Sequence, residues 1–595
     1  MTRVMAQYAL LAVLGIAASC TKGSGRTGDS GPADTDTDTD TDTDTDTDTD
    51  TDTDTDTDSD TDTHPQVETV LIEGEVITCA DPSERDSLGP YYDVSFGADW
   101  DSGQIAGSRW PEEGGAPNQG IGITVADLTG DGILDILLPN HGPDQFYTGT
   151  AEGTFVDDTD KRWPLDPIDS TEALIPADVD GDGDLDVFVA NRKAMNKLYL
   201  NEGGIFVDTQ VGFDPIPSGT VGGAFADIDV DGDLDLLVMN HWGEEYSDTR
   251  GPKPPDGHAD KLFSNNGDGT FTDVSHRLPE ETNIGYTYMG GWYDTDGDLY
   301  PDLYRTNDYG RDIQPNTLHQ NPGPGDDLFI DVSDDTSTGI AIGGMGMAVA
   351  DLNDDQIVDI ALGDWGPYKL LESADYAFWY ETHQAREVGN YEHDGGYYVF
   401  WGTSLDDFDN DGDIDIFAAC GELMEPHAVP GNAIDQPDVM YVQDDEGLFS
   451  NQAAAWDLDD EDNNRGIVIA DLDGNGWLDI ILRSLRDDAR IRMARCGSES
   501  WLRIGIEAPA PNTRAVGARV EVDVGDKTHT RWMMASGRGF ASGYPFDIHV
   551  GLGDVDTVDE IRVYWPDGYA STFEGVMTNQ RVIVSRELEW QTVTE

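Results

Sequence analysis

The chain is poor in positive charge, poor in cysteine, and past its first twenty residues lacks any long apolar run. Lys and Arg number 33 against 120 Asp and Glu, a net charge of −87. Such a surface repels nucleic acid and anionic lipid, so neither is expected as a partner. Repulsion on this scale also opposes compaction unless cations neutralise part of it. No later segment offers the run of about 18 apolar residues that a membrane-spanning helix needs, so any membrane attachment has to come from a lipid anchor. Catalytic signatures are missing too. There is no His-Glu-x-x-His and no Gly-x-Ser-x-Gly, and Gly344-Met-Gly346 lacks the helix-forming context of a dinucleotide site. Carboxylate pairs are so numerous that none is marked out as an acid/base couple.

What is present starts with an export signal over residues 1–19. Arg3 precedes an apolar run from Tyr8 to Ala18, too short to span a bilayer comfortably. Ala17-Ala18-Ser19-Cys20 resembles the lipobox of bacterial lipoproteins, which implies lipidation of Cys20. Ala17 stands where Leu is usual, which leaves cleavage by the ordinary signal peptidase open. Thr21, in place of an Asp after the cysteine, favours an outer-membrane address. Residues 20–66 read as a disordered stalk dominated by a Thr-Asp repeat over 34–62, without an apolar face to pack. About 30 residues at about 3.3 Å each reach on the order of 100 Å.

From 67 to 498 the chain repeats itself. An Asp-rich loop followed by a short apolar strand recurs seven times, 49 to 67 residues apart. Oxygen-bearing residues stand at its positions 1, 3, 5 and 9. They are Asp127, Thr129, Asp131 and Asp135 in loop one, and Asp178, Asp180, Asp182 and Asp186 in loop two. Loop three has Asp227, Asp229, Asp231 and Asp235; loop four has Asp294, Asp296, Asp298 and Asp302. Asp351, Asn353, Asp355 and Asp359 follow in loop five, then Asp407, Asp409, Asp411 and Asp415 in loop six. Loop seven carries Asp471, Asp473, Asn475 and Asp479. This spacing suits a hard cation that takes six to eight oxygens, and calcium is expected over magnesium because several carboxylates crowd one flexible loop. Up to seven ions are expected. Thr129 should make the first site the weakest, and Asn353 and Asn475 should lower affinity. Leu299 stands where glycine is usual and should strain its turn. The loops lack the Glu that closes an EF-hand: Leu138 and Val189 hold that place in the first two.

Most loops are trailed by an apolar strand, a Gly-rich turn and a Phe, as in Lys197-Leu-Tyr-Leu-Asn201 followed by Phe206. Four strands per repeat at this period describe a propeller blade. The repeats resemble the FG-GAP/VCBS repeats of integrin α-subunit propellers and of bacterial surface proteins. Residues 499–595 resemble the ASPIC/UnbV domain through Trp501-Leu-Arg-Ile504, Asn512 to Arg519, Gly537-Arg-Gly-Phe-Ala-Ser542, Gly551-Leu-Gly553 and Val563 to Gly568. Together they look like the bacterial relatives of the cartilage acidic protein family. The resemblance implies extracellular calcium binding and adhesion-like roles, with no established reaction. The expected fold is all-β: a seven-bladed calcium-binding propeller with a small β-domain behind it.

The orphan strand from Tyr91 to Ser95 is expected to complete the seventh blade. Cys79 and Cys496 flank that seam, so a disulfide between them is a hypothesis, and Cys420 reads as a buried thiol. If each Asp loop joins the first two strands, the second strands end around the opposite mouth. There stand His141, Arg192, His241, Trp242, Asp308, Tyr309 and Trp365. These form a candidate ligand face by analogy of fold. The alternative is that the asparagines beside them cap the strands locally. His141 and His241 are also weighed as a transition-metal pair. The leading function is an exported, lipid-anchored binding or adhesion module, expected as a monomer, whose partner is an extracellular protein or glycan. A propeller hydrolase or lyase acting on extracellular polysaccharide is the first alternative, and a structural surface component the second.

Overall fold

Each Asp loop is flanked by two apolar runs too short for helices and rich in β-branched residues, and both runs are strands. Thr171–Ala177 and Asp186–Asn191 are buried at every position. That accounts for their near-continuous apolar character, since a strand covered on both faces has no polar side to show. This is a computed structural model. It describes residues 66–589 apart from 95–119, 152, 166–169, 214–218, 242–257, 326, 390–391, 394–395, 423–432, 434 and 486–488. The leader, Cys20, the Thr-Asp tract and Trp242 lie outside the described residues.

Seven four-stranded antiparallel sheets follow one another, each paired in simple up-and-down order. Their first strands are Thr124–Ala126, Thr171–Ala177, Thr220–Ala226, Tyr286–Tyr293, Met347–Ala350, Phe400–Asp406 and Asn464–Ala470. In all seven the Asp loop joins the first strand to the second, and its position-9 aspartate opens the second strand. First strands of neighbouring sheets touch, and the first sheet meets the seventh. Between the fourth and fifth sheets the contact runs through Thr306, whose hydroxyl donates to the Met345 carbonyl at 2.8 Å. The outermost strand of sheet seven is Tyr91–Val94, with Tyr91 opposite Ala494. The ring is thus closed by strands from far apart in the sequence, and Cys79 and Cys496 are joined in a disulfide at the same seam. Cys420 is a buried thiol.

Behind the propeller lies a two-sheet β-domain with its own apolar core around Leu502, Ile504, Val520, Val550, Ile561 and Val582. The boundary expected at residue 67 is corrected here. Gln66–Glu73 is an edge strand of this tail domain, paired antiparallel with Gln580–Glu589, with Val70 opposite Ser585. It covers an otherwise open strand edge. The chain therefore enters the ring only after crossing the tail domain.

The tail domain also fills the axis of the propeller. Its segment from Ser536 to Tyr544 is buried and reaches the first strand of every sheet. Val125 donates to the Gly543 carbonyl and Gly543 donates back to Ile123, both at 3.0 Å. Gly539 donates to the Thr403 carbonyl at 3.1 Å, and the Tyr293 hydroxyl to the Gly537 carbonyl at 2.6 Å. Phe225, Met347, Pro176 and Ile467 complete the circle. Two glycines are required by this close approach: a Cβ on Gly543 would lie 2.4 Å from Pro176, and one on Gly539 2.8 Å from the Ile467 carbonyl oxygen. Among the described residues no helix is long and apolar enough to cross a membrane.

Candidate functional site

The Asp loops share one backbone path. Positions 4 and 6 are left-handed in all seven, whatever residue stands there. Glycine takes most of these places, but Val230 (φ 58°), Asp354 (59°) and Asn410 (59°) hold position 4, and Leu299 (76°) and Gln356 (67°) position 6. The strain foreseen at Leu299 is therefore one case of five. This path turns the N–H groups of positions 4 to 6 inward onto the position-1 carboxylate. In loop one Gly130, Asp131 and Gly132 donate to Asp127 at 2.8, 3.1 and 2.8 Å. The position-5 side chain instead accepts from the N–H two residues on, as Asp131 does from Ile133 at 3.0 Å.

Position 9 is the structural keystone. One carboxylate oxygen accepts from the N–H at position 2: Leu128, Val179, Ile228, Thr295, Leu352, Phe408 and Leu472 in turn. The other accepts from the third strand: Gly149, Asn201, Asn265, Asn321, Ser373, Gln443 and Ala494. All fourteen bonds measure 2.6 to 3.0 Å. Each bond to a charged group contributes about 1.5–3 kcal/mol. The asparagines that end three third strands tie loop to loop as well. Asn201, Asn265 and Asn321 donate to Leu128, Val179 and Ile228 of the preceding sheet.

In five loops the carboxylates at positions 1, 3 and 9 converge, with one oxygen from each within 4.8 Å of the others. These are Asp178, Asp180 and Asp186; Asp227, Asp229 and Asp235; Asp294, Asp296 and Asp302; Asp407, Asp409 and Asp415; and Asp471, Asp473 and Asp479. Loops one and five form no such triad, because Thr129 and Asn353 stand at position 3. The Asn353 amide is spent on the Ser373 carbonyl at 3.0 Å. Position 5 lies outside the triads. The donor set is all oxygen, and Oδ1 of Asp229, Asp407 and Asp409 is buried without a hydrogen-bond partner. Such a site fits a hard divalent cation. Burial first, then neighbouring carboxylates, pushes the carboxyls up: Asp186 and Asp235 to about 8, Asp135, Asp227 and Asp302 to about 7. Without a cation the folded loops would hold protons in its place.

The tail domain sits on these same loops. The Thr513 hydroxyl donates to Asp178 Oδ2, and Arg514 to the Gly183 carbonyl at 3.0 Å. Arg503 bridges Asp471 of loop seven (3.0 Å) and Asp547 (2.7 Å). Lys527 pairs with Asp413 at 2.8 Å, and His549 Nε2 lies 2.7 Å from Asn410 Oδ1. Sequence reasoning gave none of the tail-domain residues a place on the loops, although Arg503, Thr513 and Arg514 lie within the stretches that carry the ASPIC/UnbV resemblance.

Around the opposite mouth the candidate residues are drawn into pairs, some within a sheet and some across neighbouring sheets. Glu172 accepts from Arg192 at 3.2 Å and lies 3.1 Å from His141 Nε2. Burial alone would raise the Glu172 carboxyl, but His141 and Arg192 outweigh it and hold it below the usual range. His241 lies 3.4 Å from Asp308 and stacks on Tyr288 at 4.0 Å. Each histidine thus has its own carboxylate. Tyr309 meets Tyr286 edge-on, and half-buried Trp365 bridges to Val399. The neighbouring asparagines cap locally: Asn140, Asn191, Asn240 and Asn307 donate to Pro143, Met195, Ala259 and Pro315. Phe540, the tip of the axial segment, packs against Tyr288 (5.3 Å) and Trp401 (5.2 Å) and so forms the floor of this mouth.

These features define a class: a β-propeller built of FG-GAP-like repeats, carrying an ASPIC and UnbV domain. The FG-GAP-like repeat matches residues 127–189, 178–238 and 407–482, and the ASPIC and UnbV family 508–589. More particularly, part of the chain is distantly similar to cartilage acidic protein 1. It is 28% identical to the Homo sapiens protein over 282 residues, 45% of this chain and 39% of that one. To the Xenopus tropicalis protein it is 26% identical over 278 residues, 45% of this chain and 40% of that one. The chain thus spans about two fifths of the length of these relatives. Among solved structures it is similar to an Agrocybe aegerita lectin that recognises non-reducing terminal N-acetylglucosamine, with TM-score 0.37, 16% identity, and 62% of this chain and 94% of that one covered. Rhamnogalacturonan lyase YesW matches with TM-score 0.37, 14% identity, and 68% and 75% coverage.

Proposed function

We propose that this chain is an exported, lipid-anchored, calcium-loaded propeller that binds an extracellular protein or glycan as a monomer. The observation that carries the calcium reading is the set of five carboxylate triads, each with a buried position-9 aspartate and built on the same loop path. When bound, calcium would supply the positive charge that lets three carboxylates share one pocket. The chain's own residues do the rest. Positions 4 to 6 orient the first carboxylate, and position 9 anchors the loop to the second and third strands. The binding role is supported by the asymmetry of the ring, because among the described residues the charged and aromatic side chains at the mouth away from the loops vary between sheets, as in Glu172 with Arg192, His241 with Tyr288, and Arg311 with Asp364. Cys20 would tether the head, and the Thr-Asp tract would act as its stalk.

Two measurements test this. Metal content and melting temperature with and without EDTA test the cation: about five bound calcium ions and a lower Tm on chelation are expected. A glycan and matrix-protein array run beside a turnover assay tests the binding. Calcium-dependent retention without product supports the reading, and product formation overturns it.

A further inference from the structure

The Asp loops and the opposite mouth are joined by one mechanical element, the tail domain. It rests on the position-1 aspartates at three loops. Thr513 donates to Asp178 Oδ2 in loop two, and Arg503 to Asp471 Oδ2 in loop seven. In loop six the Gly551 backbone lies so close that a Cβ there would stand 2.0 Å from Asp407 Oδ2. Each of these oxygens also accepts from its own loop's position-6 N–H: Gly183 at 2.9 Å, Gly476 at 2.9 Å and Gly412 at 2.8 Å. The carboxylate orientation that shapes the cation pocket is therefore the one the tail domain touches. From the same domain Ser536 to Tyr544 runs down the axis and ends as the mouth's floor, where Phe540 meets Tyr288 and Trp401, His241 stacks on Tyr288, and Arg465 lies 4.0 Å over Trp401.

We propose that the tail domain is a calcium-latched pin: cations in loops two, six and seven hold it in place, and its axial segment sets the floor of the mouth on the far face. The proposal rests on the calcium reading above. An empty loop leaves position 1 held only by its own backbone donors and its tail-domain contact, whereas a bound cation fixes the carboxylate in the orientation that contact needs. By linkage, whatever tightens docking must tighten cation binding by the same factor.

The test is hydrogen exchange on the full chain, with metal content measured in parallel. With calcium bound, the amides of Gly539 and Gly543 are protected by their bonds to Thr403 and Ile123. Chelation is expected to speed their exchange about tenfold. Thr513→Val should speed it in calcium and weaken calcium binding by a matching factor, and Gly551→Ala, which presses on Asp407, should do the same. Asp127→Asn in loop one, whose carboxylate accepts from its own loop, should leave the axial amides unchanged. If EDTA removes no ion, the calcium reading itself fails. If ions leave and the loop amides loosen while Gly539 and Gly543 exchange as before, the latch is overturned and the calcium reading stands. Unchanged axial exchange and unchanged calcium affinity in both tail-domain variants would also overturn the latch.

Discussion

The two faces of the ring are built on opposite plans. On the loop face the same hydrogen bonds are made seven times, with position 9 held by one donor at position 2 and one on the third strand in every sheet. On the far face an asparagine cap recurs on four sheets, but the charged pairs around it vary: Glu172 with Arg192 and His141, His241 with Asp308, Arg311 with Asp364. Repetition marks what every sheet needs in order to form, and variation marks where a ligand could be told apart. The sharpest break in this comparison is one residue on each side. Asp235→Ala removes a buried carboxylate that accepts from Ile228 and Asn265, and leaves both donors unpaired. It should cost about 3–5 kcal/mol in denaturant unfolding with calcium present. Arg311→Ala, whose side chain is 61% exposed, should change stability by less than about 0.5 kcal/mol. A comparable loss for both would erase the distinction.

The seam offers the next largest effect. The disulfide ties residues 417 positions apart and secures Tyr91–Val94 against sheet seven. Cys79→Ser with Cys496→Ser should lower stability by about 3 kcal/mol. Cys420→Ala removes a buried thiol that closes no loop, so it should cost less. If the pair of serines melts like the parent, the sheet-seven pairing closes the ring by itself.

How much of this was legible differs between the faces in the same way. The seven loops and the closing strand could be read because each is local: an Asp pattern, a short apolar run, a Gly turn; the place of position 5 could not, since its side chain turns to the N–H two residues on. Even the flaw at Leu299 was visible, since a bulky side chain stood where five of its six counterparts carry glycine. Val230 and Asp354 were not, because nothing local says that position 4 is left-handed. The axial segment could not be read at all. Gly537, Gly539 and Gly543 meet partners from Ile123 to Ile467, and contacts spanning hundreds of residues leave no period in the sequence. Gln66–Glu73 was assigned to the propeller for the same reason, its partner strand lying more than 500 residues away.

Proton competition should separate a loaded loop face from an empty one. In the chelated protein Asp186 and Asp235 sit near 8, and Asp227 and Asp302 near 7, raised by burial above an unfolded value of about 4. The folded state then binds protons more tightly than the unfolded one. The resulting stability is fully present below about pH 4 and is lost as pH rises through about 7–8. The Tm of the chelated chain should therefore rise as pH falls from 8 to 5. The calcium-loaded chain should go the other way, because protons compete for the ligand oxygens. The two curves, followed by circular dichroism, should converge toward low pH. Parallel curves would mean that these carboxylates do not share one pocket with the ion.

The smallest effect addresses why the loop face repeats at all. Left-handed backbone costs a residue with a side chain about 1–2 kcal/mol, most for a β-branched one, and glycine nothing. Glycine in turn loses more freedom on folding, about 0.5–1 kcal/mol. Val230→Gly and Leu299→Gly should therefore stabilise by a net of about 1 kcal/mol or less each. In the reverse direction Gly132→Ala should destabilise by a similar amount, although a Cβ there would meet nothing within 4 Å. The empty space makes Gly132 the cleaner of the probes, since a loss there can come only from the backbone angle of 85°. If Gly132→Ala cost nothing while Val230→Gly still stabilised, the gain at Val230 would belong to its side chain and not to a path shared by all seven loops.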